Sequence, residues 1–196
     1  MAKVSLYIFD VKKMEKDVET YLFRLSKEQR TRADEYKIAK DRLRYIGGAY
    51  LVNEYTPDLP VSYGERGKPY KEGCFYNLSH SKDFAALAVS DIEVGIDLEA
   101  VRDIDDGFIK KVCSPKELEF VSSKKDFFTV WTMKESLLKC KGSGLISRLN
   151  AVPSIPQGVR EYEGEKYFTK SFERNGYVIS ITLKTGEDFE IKIETI

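Results

Sequence analysis

The sequence has little cysteine, a single histidine, no net charge and no long apolar run. Each of these shortages argues against a class of protein. Cys74, Cys113 and Cys140 are odd in number and lie far apart without a CxxC pair, which argues against a zinc site or a disulfide framework. We expect reduced packing residues in a cytoplasmic protein. No segment approaches the ~18 apolar residues of a membrane span, so no membrane association is expected.

Charge is balanced, with 32 lysines and arginines against 32 aspartates and glutamates. This neutrality argues against a non-specific nucleic-acid binder, which usually carries a basic excess. Basic residues do crowd residues 30–44, but such a run is typical of a solvated helix face. Apolar residues make up 42% of the 196 residues, enough for a globular core.

Helix signals occur in the first part of the chain after a strand. Alternating apolar residues predict a strand over residues 3–10. Residues 26–55 are predicted as a helix that begins at a capping box of Ser26 and Gln29. The glycine pair at 47–48 is expected to weaken or break it, because glycine costs ~1 kcal/mol relative to alanine inside a helix.

Two further helices are predicted beyond residue 110. The first begins at Ser114, with proline in its first turn and Glu117 closing a second capping box. The second covers about residues 126–141 and ends at Gly142, since glycine is the usual residue just past a helix C-terminus. The following KGSGL lacks the spacing of a phosphate-binding loop and is predicted as a cap and turn.

Residues 83–99 and 176–194 share one pattern: strand, charged turn, strand. We expect the two strands of each stretch to be adjacent, joined in the first by a short turn at 91–93. The likeness predicts an internal repeat of two α+β halves, whereas chance similarity between amphipathic hairpins is the alternative. In an overlay of the stretches, Lys192 and Glu194 take the places of two acidic residues of the first.

Those two acids, Asp97 and Glu99, belong to the segment GIDLEA. In a strand they share a face and lie ~6.5–7 Å apart, while Ile96 and Leu98 point into the core. Two carboxylates at this spacing repel unless a positive charge lies between them, and Mg²⁺ prefers such oxygen ligands. Ordinary surface acids on a solvent-facing strand are the alternative interpretation.

The segment WTMKESLLKCKGSGL places Trp131, Glu135 and Lys139 on one helix face. The opposite face is expected to pack inward through Val130, Met133, Leu137 and Cys140. Glu135 and Lys139 are either a helix-stabilising ion pair or, in a functional interpretation, a third oxygen ligand and a phosphate-binding ammonium.

His80, the only histidine, lies between Ser79 and Ser81 in NLSHS. A serine hydrolase is excluded by context, because there is no GxSxG elbow and adjacent residues of a strand point apart. A packed structural histidine and a phosphate ligand beside Ser79 both remain open. Upstream, ERGKPY places Arg66 and Lys68 on a turn that could bring cations and backbone amides to a nucleotide.

In order and spacing, RGKP, NLSHS, GIDLE and WTMKESLLK with its following glycines resemble the motifs of 4'-phosphopantetheinyl transferases of the surfactin-synthetase-activating (Sfp) type. The resemblance covers roughly residues 22–150. It implies an α+β fold of two similar α/β halves, 1–100 and 101–196, related by a pseudo-twofold axis, with coenzyme A between them. It also implies a monomer that needs Mg²⁺, or alternatively Mn²⁺.

The implied reaction transfers 4'-phosphopantetheine from coenzyme A to a serine of an apo acyl, peptidyl or aryl carrier protein and releases 3',5'-ADP. The sequence does not separate carriers of primary fatty-acid synthesis from those of polyketide or nonribosomal-peptide synthesis. A degenerate protein that only binds coenzyme A or a carrier is the alternative function.

The resemblance also assigns site residues. Three match the family's metal ligands: Asp97, Glu99 and Glu135. Six match positions that contact coenzyme A: Arg32, Arg44, Lys68, Ser79, His80 and Lys139. Three of these residues are the expected catalytic groups. Glu135 is expected to accept the serine proton, directly or through a metal-bound water, and Lys139 to protonate or stabilise the departing 3',5'-ADP. His80 is expected to be a positive or hydrogen-bond-donating group. Gln29 departs from relatives that often carry a basic residue there, which puts the grip on the 3'-phosphate in doubt.

Overall fold

The computed structural model describes residues 1–64, 67–144 and 148–196, so Arg66 of the RGKP turn and Leu145 of KGSGL lie outside the described residues. The described helices are α1 (Val18–Phe23), α2 (Lys27–Asp34), α3 (Ala39–Tyr55), α4 (Asp106–Val112), α5 (Pro115–Phe120) and α6 (Lys124–Lys141), with short 3₁₀ helices at Val11–Lys16 and Leu149–Ala151. The described strands are β1 (Ala2–Asp10), β2 (Ser62–Tyr63), β3 (Pro69–Lys71), β4 (Cys74–Ser81), β5 (Phe84–Ser90), β6 (Val94–Ala100), β7 (Gly158–Tyr162), β8 (Glu165–Arg174), β9 (Tyr177–Leu183) and β10 (Phe189–Thr195).

These strands form two sheets, which confirms the α+β class. The first has the order β10-β1-β5-β4-β3-β2, and the second has the order β6-β9-β8-β7. All neighbouring strands are antiparallel except β1 and β10, which run parallel. None of the described helices is long and apolar enough to cross a membrane.

The pairing expected inside the two strand–turn–strand stretches is wrong, although all four strands exist. β5 lies between β1 and β4 in the first sheet, whereas β6 crosses to the second sheet and pairs with β9. β9 and β10 separate in the same way. Residues 85–88 and 94–98 are continuously buried, so both faces of these strands are covered. A hairpin with one solvent-facing side does not provide that cover.

The sheets therefore exchange strands between the two predicted halves. β6, from residues 1–100, lies in the second sheet, and β10, from residues 101–196, lies in the first. In each half a hairpin stays in its own sheet (β4–β5 or β8–β9) and the next strand crosses over. This shared order supports the repeat interpretation, while the boundaries stay a prediction. Lys192 and Glu194, on β10, form an ion pair with each other at 2.7 Å.

The predicted helix over residues 26–55 exists in two pieces, α2 and α3, with the expected capping box at its start. The break falls at residues 35–38 and not at the glycine pair 47–48, which lies inside α3. A Cβ on Gly47 would come within 3.0 Å of Val11 Cγ1. Tertiary packing thus overrides the low helix propensity of glycine here.

The layers follow from which strand faces are apolar. One face of the first sheet packs on α1–α3, with Phe9 and Leu87 in that core. Its other face packs on the second sheet through residues such as Leu6 and Ile96. α6 covers the far side of the second sheet. The inward face predicted for α6, through Val130, Met133, Leu137 and Cys140, is buried as expected.

Candidate active site

The close approach of α6 to β6 brings the candidate residues together. A Cβ on Gly95 would overlap the carbonyl oxygen of Ser136 and the amide nitrogen of Cys140, so only glycine allows the helix to cross the strand at this distance. Asp97 lies two residues further along the same strand face. It is therefore covered by the side of α6 that carries Lys139.

Asp97 is buried, with 5% of its surface exposed, which excludes its interpretation as a surface acid. Its Oδ1 accepts hydrogen bonds from Lys139 Nζ at 2.6 Å and from Ser79 Oγ at 3.0 Å. Its Oδ2 is buried and has no hydrogen-bond partner among the described residues. Burial raises the pKa of the Asp97 carboxyl, although the Lys139 ammonium acts in the opposite direction. One oxygen of this carboxylate is therefore available to a ligand.

Glu135 provides a second oxygen of the same kind. Its Oε1 is buried, and the described part of the chain offers it no hydrogen-bond partner. Burial raises the pKa of Glu135, and the negative charges of Asp97 and Glu99 raise it further. The three acids are thus close enough to influence one another electrostatically.

Glu99 is less deeply buried and is already engaged at one oxygen. Its Oε2 accepts a hydrogen bond from Ser81 Oγ at 2.7 Å and an ion-pair contact from Arg102 Nη1 at 2.8 Å. Neither Ser81 nor Arg102 was singled out for function from the sequence. The alternating small polar residues of NLSHS, which place Ser81 on the same strand face as Ser79, are the signal that could have found the serine.

The donor chemistry of these acids fits a divalent cation. Asp97 and Glu135 offer unpartnered carboxylate oxygens, which are the ligands that Mg²⁺ prefers, and neighbouring carboxylates repel without a cation between them. The acids do not form a complete coordination site, because no three His, Cys, Asp or Glu side chains in the described ranges are grouped closely enough to hold a metal ion. The metal site therefore stays a prediction.

A cavity of about 740 Å³ lies between α2–α3 and the first sheet. Four of the predicted coenzyme A residues line it: Arg32, Arg44, Ser79 and His80. Arg44 is held on the wall, because its Nε donates to the Lys82 carbonyl oxygen at 2.7 Å and its Nη1 to Asp41 Oδ1 at 2.6 Å. Ser79 links the cavity to the acids through its hydrogen bond to Asp97.

His80 is exposed on the cavity wall. Partial desolvation lowers the pKa of its imidazole, and the nearby charges of Lys139 and Arg44 lower it further. Both effects disfavour the positively charged form of the imidazole. Gln29 also lines the cavity, but its side chain is engaged by the capping box and by Asn53.

Lys68 lies at the end of α6 and, like Lys139, is not among the described residues that line the cavity. Its ammonium donates to the carbonyl oxygens of Val94 at 2.8 Å and Cys140 at 2.7 Å. The carbonyls at a helix C-terminus carry partial negative charge, so the end of α6 attracts this cation. Burial lowers the pKa of Lys68.

A second buried charge cluster lies on the other side of α6. Lys134 Nζ donates to Glu117 Oε2 at 2.6 Å, and Ser154 Oγ and the Ser114 amide also donate to the Glu117 carboxylate. The expected capping box of Glu117 is present, and the ion pair adds to it. Sequence reasoning missed Lys134, whose partner lies 17 residues away in the chain.

Comparison with known proteins gives one family. Residues 93–182 match the family model described as the 4'-phosphopantetheinyl transferase superfamily. The chain is 31% identical over 167 residues to 4'-phosphopantetheinyl transferase HetI of Nostoc sp., covering 73% of this chain and 70% of that protein. It is 30% identical over 142 residues to 4'-phosphopantetheinyl transferase gsp of Aneurinibacillus migulanus, covering 65% of this chain and 60% of the relative. Against psf-1 of Bacillus pumilus, which has the same enzyme name, identity is 28% over 159 residues, or 72% and 68% of the two chains.

Proposed function

The chain belongs to the 4'-phosphopantetheinyl transferase superfamily, and on that premise we propose that it transfers 4'-phosphopantetheine from coenzyme A to a serine of an apo carrier protein. One observation carries this proposal. Beside Lys139, the buried oxygens Asp97 Oδ2 and Glu135 Oε1 have no hydrogen-bond partner in the described residues. Buried polar atoms are costly to leave unpaired, and exceptions often mark a site that a ligand completes.

The nucleotide part of coenzyme A would occupy the 740 Å³ cavity, whose volume is in the usual range for small-molecule sites. Arg32 and Arg44 supply positive charge on its wall, which suits the 3'-phosphate. Ser79 and His80 both line the cavity, and His80 would contact the diphosphate. The Ser79 hydroxyl is already engaged by Asp97, Lys139 and the Leu98 amide. Lys68 is not included in this contact set, because its ammonium is bound to backbone carbonyls.

Asp97, Glu99 and Glu135 would hold Mg²⁺, with Mn²⁺ as the alternative. When bound, the cation would neutralise negative charge on the diphosphate of coenzyme A, which otherwise repels an approaching nucleophile. The repulsion between these buried carboxylates supports a cation at this place, since burial together with like charges raises the pKa of Asp97 and Glu135.

The chain's own residues would move the proton and steady the leaving group. The carrier's serine oxygen forms a bond to the phosphorus that bears pantetheine, and the bond from this phosphorus to 3',5'-ADP breaks. The serine proton passes to the Glu135 carboxylate, directly or through a water molecule. Lys139 stabilises the negative charge on the departing 3',5'-ADP, and His80 donates a hydrogen bond to a phosphate oxygen.

We further propose that the protein acts as a cytoplasmic monomer without nucleic-acid or membrane partners. The strand exchange supports a monomer, because each sheet is completed by a strand of the same chain. The three cysteines are free and buried, as suits a reducing compartment.

A panel of apo acyl, peptidyl and aryl carrier proteins tests the transfer. Each is incubated with the protein, coenzyme A and Mg²⁺, and mass spectrometry measures the fraction of carrier that gains phosphopantetheine. Release of 3',5'-ADP is followed in the same samples. We expect at least one carrier to be converted, with 3',5'-ADP formed in equal amount.

Coenzyme A binding without modification of any carrier and without 3',5'-ADP release would overturn the proposed transfer. It would favour the degenerate binding protein instead. Lys125→Gln is a control variant outside the proposed site, because Lys125 pairs with Glu173 on the surface at the start of α6. It is expected to convert carriers at the rate of the unaltered protein.

A further inference from the structure

β4 and β6 belong to different sheets, but their facing sides are joined by side chains. Three alternate side chains of β4 accept hydrogen bonds from three alternate amides of β6: Asn77 Oδ1 from Ile96 at 2.9 Å, Ser79 Oγ from Leu98 at 3.1 Å, and Ser81 Oγ from Ala100 at 3.2 Å. These bonds replace a backbone ladder between the two strands. They fix the register of the strand that carries Asp97 and Glu99.

The amide bonds also fix the direction of the two serine hydroxyls. A hydroxyl that accepts from an amide still has one proton to donate. Ser79 Oγ donates it to Asp97 Oδ1 at 3.0 Å, and Ser81 Oγ donates it to Glu99 Oε2 at 2.7 Å. Asp97 is therefore held by Ser79, and Glu99 is held by Ser81, two residues further along β4.

Each acid is also held by one cation at the same oxygen as the serine. Lys139 contacts Asp97 Oδ1 at 2.6 Å, and Arg102 contacts Glu99 Oε2 at 2.8 Å. The guanidinium of Arg102 is itself oriented, since it donates to the Ala100 carbonyl oxygen at 3.2 Å and lies 4.9 Å from the centre of the Phe128 ring. In both acids this leaves the second oxygen for a ligand.

We propose that Ser81 and Arg102 are positioning residues that orient Glu99 for a divalent cation, as Ser79 and Lys139 orient Asp97. This inference rests on the proposed function, because it requires Glu99 to be a metal ligand. Carboxylates that bind metals are commonly oriented by hydrogen bonds from outer residues, whose loss typically weakens metal affinity by ~10–100-fold. Because Ser81 and Arg102 hold Oε2 of Glu99, Oε1 stays free for the cation. The side chain is also ordered before the cation binds, so that binding costs less conformational entropy.

The test measures Mn²⁺ affinity, with coenzyme A present, by electron paramagnetic resonance of the free ion. Ser81→Ala and Arg102→Gln are each expected to weaken Mn²⁺ binding by about tenfold or more. Arg102→Lys keeps a cation beside Glu99 and is expected to recover part of the affinity. Asp97→Asn, which alters a proposed ligand, is the positive control and is expected to lose more.

Two variants separate positioning from general stability. Ser90 is as buried as Ser81 and its hydroxyl also bonds to backbone, donating to the Lys3 carbonyl and accepting from the Ile92 amide. Ser90→Ala is expected to lower the unfolding midpoint about as much as Ser81→Ala without changing Mn²⁺ affinity. Lys125→Gln is the control for Arg102→Gln, because each removes one positive charge. The Arg102→Gln variant should fold normally, since the Arg102 side chain is partly exposed.

The outcomes distinguish this inference from the proposed function. If the unaltered protein does not bind Mn²⁺, the proposed metal site and the positioning roles are both overturned. If it binds Mn²⁺ and Asp97→Asn abolishes binding, but Ser81→Ala and Arg102→Gln bind like the unaltered protein, only the positioning roles are overturned. Weakening that Ser90→Ala reproduces would also overturn them, because it would reflect stability alone.

Discussion

Lys134 and Glu135 are neighbours on α6 but belong to opposite kinds of charge cluster. Lys134 Nζ is fully buried and makes hydrogen bonds of 2.6 Å to Glu117 and 2.9 Å to two backbone carbonyl oxygens. Glu135 Oε1 is buried as well, and it has no such partner in the described part of the chain. The charge of Lys134 is therefore satisfied within the fold, whereas the charge of Glu135 is not, as the proposed ligand role requires.

Hydrogen-bond partners therefore distinguish the structural acid Glu117, which Lys134 pairs with, from the candidate functional acid Glu135. Breaking a satisfied buried pair should cost stability, because the remaining charge is left without compensation. Removing an unsatisfied buried charge should cost function and leave stability unchanged or improved.

The largest effect is expected on the ligand side of α6. Glu135→Gln keeps the shape of the side chain but removes its charge, and carrier modification should fall by more than about 100-fold, beyond the typical effect of losing an outer partner. The free energy of unfolding, measured in urea, should be unchanged or higher. Transfer near that of the unaltered protein would contradict the role of Glu135. Glu173→Gln, which removes a negative charge from the surface pair with Lys125, provides the control for charge loss.

The largest effect on stability is expected on the structural side. Lys134→Met leaves the Glu117 carboxylate buried without its cation and should lower the free energy of unfolding by about 3–5 kcal/mol. Urea unfolding measures this loss. The double variant Glu117→Gln, Lys134→Met should regain part of it. A loss too small to measure in the single variant would show that Lys134 does not hold the fold.

Gly95→Ala should disturb both sides at once, because its Cβ would overlap the backbone of α6. Displacing the helix should cost about 1–3 kcal/mol of unfolding free energy and also lower the rate of transfer. Gly64→Ala is the matched control, since a Cβ there would lie 3.7 Å from the Lys68 carbonyl oxygen, an ordinary contact. Equal behaviour of the two variants would argue against the close crossing at Gly95.

The smallest effect is a pH dependence of stability from Glu117. Burial alone would raise the pKa of Glu117, but hydrogen bonds from Lys134, Ser154 and the Ser114 amide outweigh it and hold this pKa below its ordinary value of 4.5. A carboxyl with a lowered folded-state pKa contributes stability above the unfolded-state pKa and loses it as pH falls through the folded-state value. Between neutral pH and pH 4.5, Glu117→Gln should therefore differ from the unaltered protein by a constant amount. Below pH 4.5 the difference should shrink, and a gap that widens on acidification would contradict this.

Local features of this fold could be predicted because they depend on neighbouring residues. The capping boxes at Ser26 and Ser114 and the helix end at Gly142 are all present. Each arises from hydrogen bonds within one turn of helix, so residue spacing alone determines it. The shared face of Asp97 and Glu99 follows in the same way from strand geometry.

Long-range partners could not be predicted from local patterns. The crossing of β6 into the second sheet depends on burial of both its faces, which alternation within one strand does not reveal. The inward turn of Lys68 depends on the end of α6, 72 residues away in the chain. The close packing of Gly47 in α3 against Val11, 36 residues earlier in the chain, is likewise a tertiary contact. In each case the structure is determined by contacts with residues that are distant in the sequence, which local patterns do not reveal.

The most direct test of the central claim is a crystal structure with coenzyme A and Mg²⁺. We expect one Mg²⁺ with carboxylate oxygens of Asp97, Glu99 and Glu135 at about 2.1 Å, touching the diphosphate of coenzyme A. A bound coenzyme A whose diphosphate meets neither a cation nor these three acids would contradict the account.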